Sequence, residues 1–367
     1  MMLFRAAQIN DVQALMHLAD KSGSGLTSLQ ADEEKIAARI DRSMHTIQGL
    51  LPLSEQGYLF VLEDTMSRKV VGVSGIEVAV GLTEPWYSFR TSIMNHASRQ
   101  LGIRRFEREL MICNDHTGYS ELCTLFLDPE WRHSRNGHLL SKARLLFVAG
   151  FKKRFAKKIV AEMRGVQDAN GKSPFWESIG RCFCEIDFDH ADYLTGVGKK
   201  SFIGELMPHG PIYTSMLSED AQAVIGKVHA QTEAAKGMLE GEGFRHEGYV
   251  DIFDGGATLE AYVNELRIVQ TSEMLNVLPL KNLATPDNFF LISNENDQNF
   301  RVILAHSTRD SDSIYLTHQQ IDHLEINFNS AVRIASVYPE MDLSNSSALA
   351  SRIRLNRELS TTSMESK

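Results

Sequence analysis

Apolar residues recur along the chain with two periods, two and three-to-four, and the switches between them mark out elements. Leu3 to Ala6 reads as a short strand. Asn10-Asp11 then caps an amphipathic helix with Val12, Leu15, Met16 and Leu18 at helical spacing. Ser22 to Ser28 is a loop of glycines and hydroxyls, and a second helix is expected over 31–44. Tyr58 to Glu63 and Lys69 to Val80 are apolar runs separated by Asp64-Thr65-Met66-Ser67-Arg68, the pattern of two antiparallel strands and a turn. Ser120 to Leu127 is a further strand, closed by Pro129. A long helix is expected from Gly137 to Ala156, with Leu139, Leu140, Ala143, Leu146, Phe147, Phe151 and Phe155 on its apolar side. Lys157 to Met163 is the next strand and Pro174 to Cys182 a short helix.

The first 200 residues thus form an α/β (α+β) unit with a mixed sheet, not a repeat of parallel units. Beyond Ser201 the pattern resumes as a C-terminal α/β extension. Ser218 caps a helix holding Ala221, Val224, Ile225 and Val228, and Thr232 starts another that stops at Gly241-Glu242-Gly243. Strands are expected at Tyr249 to Phe253, Phe289 to Ile292 and Phe300 to Ala305, and a last helix at Thr317 to Phe328. We therefore expect a domain at 1–200, a second region at 201–341 that contributes to the active site, and a Ser/Asn-rich disordered tail at 342–367.

Composition narrows the function. The 367 residues are 43% hydrophobic and 23% charged, enough for a sizeable core. A net charge of −9 disfavours nucleic acid and anionic membrane as partners, while a local basic patch can still serve a phosphate ligand. None of Cys113, Cys123, Cys182 and Cys184 forms a C-x-x-C pair, so neither a zinc ribbon nor a redox motif is implied, and no metal or permanently bound cofactor is expected. Met1 to Asp11 lacks the pattern of a signal peptide, and no run approaches the ~18 apolar residues of a membrane span. A cytoplasmic location is expected.

The most informative segment runs from Thr124 to Leu140: a strand, Asp128-Pro129, a loop with Arg132 and Arg135, then a helix opening at Asn136-Gly137. A helix start offers unpaired N–H groups and the positive end of the helix dipole, both suited to a pyrophosphate. Gly137 lets the backbone approach a ligand, and the two arginines add charge-assisted hydrogen bonds. Many strand–loop–helix joints bind nothing, and that plain reading stands beside this one.

The segment resembles the acyl-CoA-binding motif of the GNAT superfamily of N-acyltransferases: Arg132 fills its first position, Gly137 its last, and Arg135 stands where glycine is usual. The resemblance implies a mainly antiparallel mixed sheet flanked by helices. Ser24-Gly25-Leu26-Thr27-Ser28-Leu29, Thr124 to Pro129, Ser173-Pro174-Phe175-Trp176 and Asp251-Ile252-Phe253-Asp254-Gly255-Gly256 together resemble the arginine N-succinyltransferase family, over about residues 1–335. That resemblance implies succinyl-CoA as cosubstrate, L-arginine as acceptor through its α-amine, and cofactor contacts at Leu125, with an oxyanion-binding N–H in the Leu125 to Leu127 region. It also implies His229 as proton donor, since Phe175 and Trp176 stand where many GNAT enzymes carry a tyrosine. A guanidinium needs a carboxylate, so Asp254 and Glu260 are candidate acceptor ligands, with a plain turn as the alternative. Ser24 and Thr27 are candidates in the acceptor loop. Lys152-Lys153-Arg154 reads first as cations at a helix end. Oligomeric state stays open, as do ornithine as acceptor and a silent CoA-binding subunit.

Overall fold

Tyr58 to Leu62 has no polar alternation, and the structure buries both faces of that strand. The computed structural model describes residues 1–22, 28–168, 170–196, 201–280 and 288–338. Met1–Val337 is one compact unit, and Tyr338–Lys367 a second of which only Tyr338 is described. The expected tail, and Ser24 and Thr27, lie outside the described residues.

The strands are β1 (Met2–Ala6), β2 (Gly57–Asp64), β3 (Lys69–Glu77), β4 (Ser88–Ser98), β5 (Ile103–Cys113), β6 (Ser120–Leu127), β7 (Lys158–Glu162), β8 (Ile212–Tyr213), β9 (Arg245–Asp251), β10 (Ala257–Tyr262), β11 (Glu273–Pro279), β12 (Asn288–Ser293), β13 (Arg301–Ser307), β14 (Ser313–Leu316) and β15 (Ala331–Ser336). They join in one sheet, ordered β14-β11-β15-β12-β13-β1-β2-β3-β6-β7-β10-β9-β4-β5-β8. Every pairing is antiparallel except β6 with β7 and β11 with β14. The expected mixed, mainly antiparallel sheet is what the chain forms.

The helices are α1 (Val12–Ser22), α2 (Glu33–Ile47), α3 (Asn136–Gly150), α4 (Pro174–Ser178), α5 (Gly180–Cys184), α6 (Phe188–Gly196), α7 (Ser201–Leu206), α8 (Glu219–Val224), α9 (Glu233–Glu240), α10 (Arg267–Thr271) and α11 (His318–Leu324). Alternation along β2 sorts them onto two faces. Leu59 and Val61 pack with Leu15, Leu18, Ile36 and Ile40 of α1 and α2. Tyr58, Phe60 and Leu62 pack with Leu139, Leu140 and Phe147 of α3. The α3 cluster also takes in Leu291, Phe300 and Val302, so this one helix spans strands from both halves of the chain.

Four expected helices end early or break. The one capped by Ser218 stops at Val224, because Ile225 is extended (ψ 120°), and so it does not reach Val228. The α3 helix stops at Gly150, where Phe151 leaves helical geometry (φ −124°) and Lys152–Arg154 form a separate 3₁₀ turn. The helix at Pro174 breaks at Ile179 (φ −120°) into α4 and α5. The last helix closes at Glu325, which is left-handed. The β4–β5 hairpin and strands β8, β10, β11, β14 and β15 escaped the sequence reading.

Candidate active site

The site grows from a defect between two strands. β6 and β7 are parallel, yet they pair only at Ser120↔Ile159 and Glu121↔Val160. Past Glu121 they part. On its other side β6 carries a bulge: Gly75 pairs with Cys123 and Val73 with Phe126, so Thr124 and Leu125 stand against Ser74 alone. Thr124 is left-handed (φ 53°), a costly conformation for a β-branched residue. Two arginines hold the bulge. Arg39 of α2 donates from Nη2 to Thr124 Oγ1 at 2.6 Å. Arg144 of α3, 1% exposed, donates from Nη1 to the carbonyls of Cys123 (3.2 Å) and Gly75 (3.4 Å), which flank the bulge. Burial lowers the Arg144 pKa to about 10, so it stays cationic at neutral pH.

At the C-terminal end of β6, Asp128 accepts from Glu130 N (3.1 Å) and pairs with Lys21 of α1 at 2.8 Å, which fixes the turn into the loop. Ser134 and Arg135 are both left-handed (φ 51° and 66°), and α3 starts directly after them. That conformation is the physical reason a glycine is usual at position 135. Among the described residues no side chain caps α3, and its first turn holds no acid, so the helix start keeps its positive character. A Cβ on Gly137 would meet only Leu127 Cδ2, at 4.0 Å, so the space above it is open. Arg132 is exposed, with Nε on the Leu127 carbonyl (3.1 Å). The Arg135 guanidinium stacks 3.9 Å from the Phe289 ring centroid. Asn136 faces inward instead, donating to Trp131 O at 3.0 Å and so closing the loop.

His229 is tied to the segment after β7. The His229 N–H donates to the carbonyl of Arg164, two residues past the end of β7, at 2.8 Å. His229 is thus held on the segment that follows β7, the strand that parts from β6 after Glu121. His229 Nδ1 accepts from Gln231 N (3.2 Å), which leaves the ring proton of the neutral form on Nε2. Desolvation, and then the nearby Arg164 charge, push its pKa below the usual histidine value.

A sequence profile described as arginine N-succinyltransferase beta subunit matches residues 2–268. The chain belongs to the arginine N-succinyltransferase family. It is 50% identical over 340 residues to the arginine N-succinyltransferase of Enterobacter sp. (strain 638), covering 93% of this chain and 99% of that one. Against the arginine N-succinyltransferase of Escherichia coli (strain 55989 / EAEC) the identity is 49% over the same coverage. A solved structure, the arginine/ornithine succinyltransferase subunit AI from Pseudomonas aeruginosa, superposes with a TM-score of 0.84 at 32% identity, over 92% of this chain and 99% of that one. Membership makes the chain an acyltransferase.

Within this family frame the two acceptor candidates separate. Asp254 is buried; its Oδ2 accepts from Gly165 N (2.6 Å) and its Oδ1 from Gly256 N (2.8 Å). It pins the segment after β7 whose Arg164 carbonyl holds His229. Glu260 sits on β10, bonded to Lys158 Nζ at 2.9 Å and to His116 Nε2 at 3.3 Å. The His116 hydrogen bond, followed by the Lys158 contact, outweighs burial and takes its pKa down to about 2. Phe175 and Trp176 are fully buried core residues.

Two carboxylates that the sequence reading passed over stand nearer the gap. Glu121 is the last residue of β6 paired to β7, and Glu162 ends β7. The register puts both on the sheet face away from α3. Their signal was a charge inside an apolar strand run, Ser120-Glu121-Leu122 and Val160-Ala161-Glu162-Met163. Arg164 was missed too. Its Nη2 bonds Gln167, while its buried Nε has no hydrogen-bond partner among the described residues. No helix among the described residues is long and apolar enough to cross a membrane.

Proposed function

We propose that this chain transfers the succinyl group of succinyl-CoA to the α-amine of L-arginine, giving N2-succinyl-L-arginine and free CoA. The observation that carries the reading is full-length kinship to arginine N-succinyltransferases combined with a parted β6–β7 pair that ends in an uncapped helix start. The pyrophosphate sits at the α3 start over Gly137, with Arg132 and Arg135 supplying charge, and the pantetheine runs into the gap beside Leu125 and Leu127. The thioester carbonyl lies against the bulge, where a backbone N–H of the Leu125 to Leu127 segment donates to the developing oxyanion. Arg144, fixed behind that segment, adds a permanent positive charge in a dry setting.

The amine nitrogen attacks the thioester carbon, the C–S bond breaks, and the proton lost by nitrogen ends on the CoA sulfur. His229 Nε2–H serves the departing thiolate. The guanidinium of the acceptor pairs with Glu121 or Glu162, the carboxylates at the end of the β6–β7 pairing. Arg164, whose Nε lacks a hydrogen-bond partner among the described residues, takes the terminal carboxylate of the succinyl group, which an acetyl group lacks. We assign the site to both regions of the chain, 1–200 supplying the CoA cleft and 201–341 supplying His229. Four free cysteines fit a reducing cytoplasm.

The test is thiol release by the purified chain with succinyl-CoA or acetyl-CoA and a panel of amino acids. Rapid release with succinyl-CoA and arginine is expected. Faster turnover of ornithine would move the acceptor assignment, and no release with any pair would leave a silent CoA-binding subunit.

A further inference from the structure

The loop before α3 is gripped from the far half of the chain by one aromatic ring. Phe289 lies on β12, which pairs with β13 on one side and with β15 on the other. Its carbonyl accepts from Val337 N at 3.0 Å, and its side chain packs against the core cluster that holds α3. An internal strand is a stiffer support than a loop. The cross-strand neighbour of Phe289 is His306, whose ring stacks on it at 4.3 Å between centroids, with 8° between the planes. The Arg135 guanidinium carbon stands 3.9 Å from the centroid of the same phenyl ring. Two groups that close cannot share one face. His306 therefore covers one side of Phe289 and Arg135 the other.

The contact meets a need of the loop. Arg135 is exposed, left-handed (φ 66°) and the last residue before α3. An exposed arginine side chain samples many rotamers, and ordering it on a ligand costs entropy. A stack on a fixed ring orders it before the ligand arrives. It also uses only the flat face of the guanidinium. The N–H donors point outward at the rim, in the plane where phosphate oxygens bind. A lysine there would bring the same charge without a plane to orient.

We propose that Phe289 is a positioning residue for the donor: backed by His306, its ring fixes Arg135 beside the α3 start so that the guanidinium meets the pyrophosphate of CoA. The proposal rests on the assignment of that helix start to the pyrophosphate. It gives the second region of the chain a part in donor binding, separate from His229.

Steady-state kinetics with saturating arginine and two donors, succinyl-CoA and succinyl-pantetheine, test it, because the second thioester carries no phosphate. Phe289→Leu should raise the KM for succinyl-CoA roughly 3- to 10-fold and keep kcat within about twofold. Its KM for succinyl-pantetheine should match the wild type. Phe289→Tyr, which keeps the ring face, should restore the KM for succinyl-CoA. Arg135→Gln should raise that KM at least as far, and adding Phe289→Leu to it should raise it no further. Arg135→Lys changes only an exposed side chain and should behave as Phe289→Leu does, which keeps the test decisive even where the ring variant fails to fold. The proposal falls if Arg135→Gln raises the KM for succinyl-CoA while Phe289→Leu leaves it alone. It falls equally if Phe289→Leu weakens both donors alike, or if Arg135→Lys matches the wild type. Failure of the underlying site assignment looks different: neither Arg135→Gln nor Gly137→Ala then alters the KM for succinyl-CoA, and the proposal goes with it.

Discussion

Replacing Glu260 by glutamine separates a structural carboxylate from a substrate ligand. Glu260 accepts from Lys158 (2.9 Å) and His116 (3.3 Å), its side chain is 12% exposed, and its pKa falls from 4.5 to about 2. At 1.36 kcal/mol per pH unit that shift corresponds to about 3 kcal/mol of preference for the ionised form in the folded chain, an upper figure because the unfolded chain retains some structure. Glutamine keeps the shape and loses the charge, leaving Lys158 between the rings of Tyr119 and Tyr262 without its carboxylate. A loss of roughly 2–3 kcal/mol is expected, or a fall in Tm of roughly 3–6 °C for a chain of this size. A depressed carboxylate pKa contributes stability that is complete above the unfolded value, near 4.5, and is lost as pH drops towards 2. Urea midpoints for both proteins should therefore differ by the same margin at pH 7 and pH 5.5 and converge below pH 4.5. The KM for arginine should stay within a few-fold. An unchanged urea midpoint together with a KM for arginine raised by an order of magnitude would refute this reasoning and return Glu260 to the acceptor site.

Glu242, buried with Lys142 at 2.8 Å and Arg267 at 2.6 Å, ties α3 to α10, and Glu242→Gln should cost about 3–5 kcal/mol in chemical denaturation by leaving a buried lysine uncompensated. Gly137→Ala should leave stability equal or raise it by up to ~1 kcal/mol, since its Cβ has room, yet weaken succinyl-CoA binding in calorimetry; unchanged affinity would remove this helix start from the site. Arg164→Gln should lower kcat/KM for succinyl-CoA by ~10²-fold or more and leave slow acetyl transfer nearly unchanged, and an equal loss with both donors would contradict a role in reading the carboxylate. His229→Ala should lower kcat by ~10²-fold or more with CoA affinity kept, and His229→Gln, which retains an N–H donor, should recover part of the loss. Because the His229 pKa is lowered, wild-type kcat should not climb as pH falls from 8 to 6.5; a rising limb there would mean that the imidazolium is the working form.

How legible the protein was depends on where information about each residue sits. The helix periods of α1 and α2 and the run Tyr58 to Leu62 are local, and the chain obeys them. The loop from Asp128 to Gly137 was local too, and only the conformation of Arg135 needed coordinates to explain it. The β4–β5 hairpin was hidden because half of it faces water on both sides and so lacks the alternation that marks a half-buried strand. β14 is an edge strand of 4 residues, too short for a period to register. Glu121, Glu162 and Arg164 escaped for a different reason: nothing in the sequence tells that β6 and β7 pair for two residues and then part.

That parting and the bulge depend on one another. A strand that kept its ladder on both sides would offer a ligand no backbone N–H at all, because each one would be bonded to a neighbour. β6 opens on the β7 side by divergence and on the β3 side by carrying Thr124 and Leu125 against a single residue. Opening both sides strands carbonyls in the dry interior, and an unmet buried carbonyl is costly. Arg144 answers those of Gly75 and Cys123 from below, while Arg39 holds the Thr124 side chain from above. Two cations from helices on opposite faces thus stabilise a strand that is strained at Thr124. The same two charges leave the bulge in a positive field, which is what a thioester oxygen gaining negative charge requires. The local cost in sheet regularity and the electrostatic suitability of the cleft therefore have one structural origin.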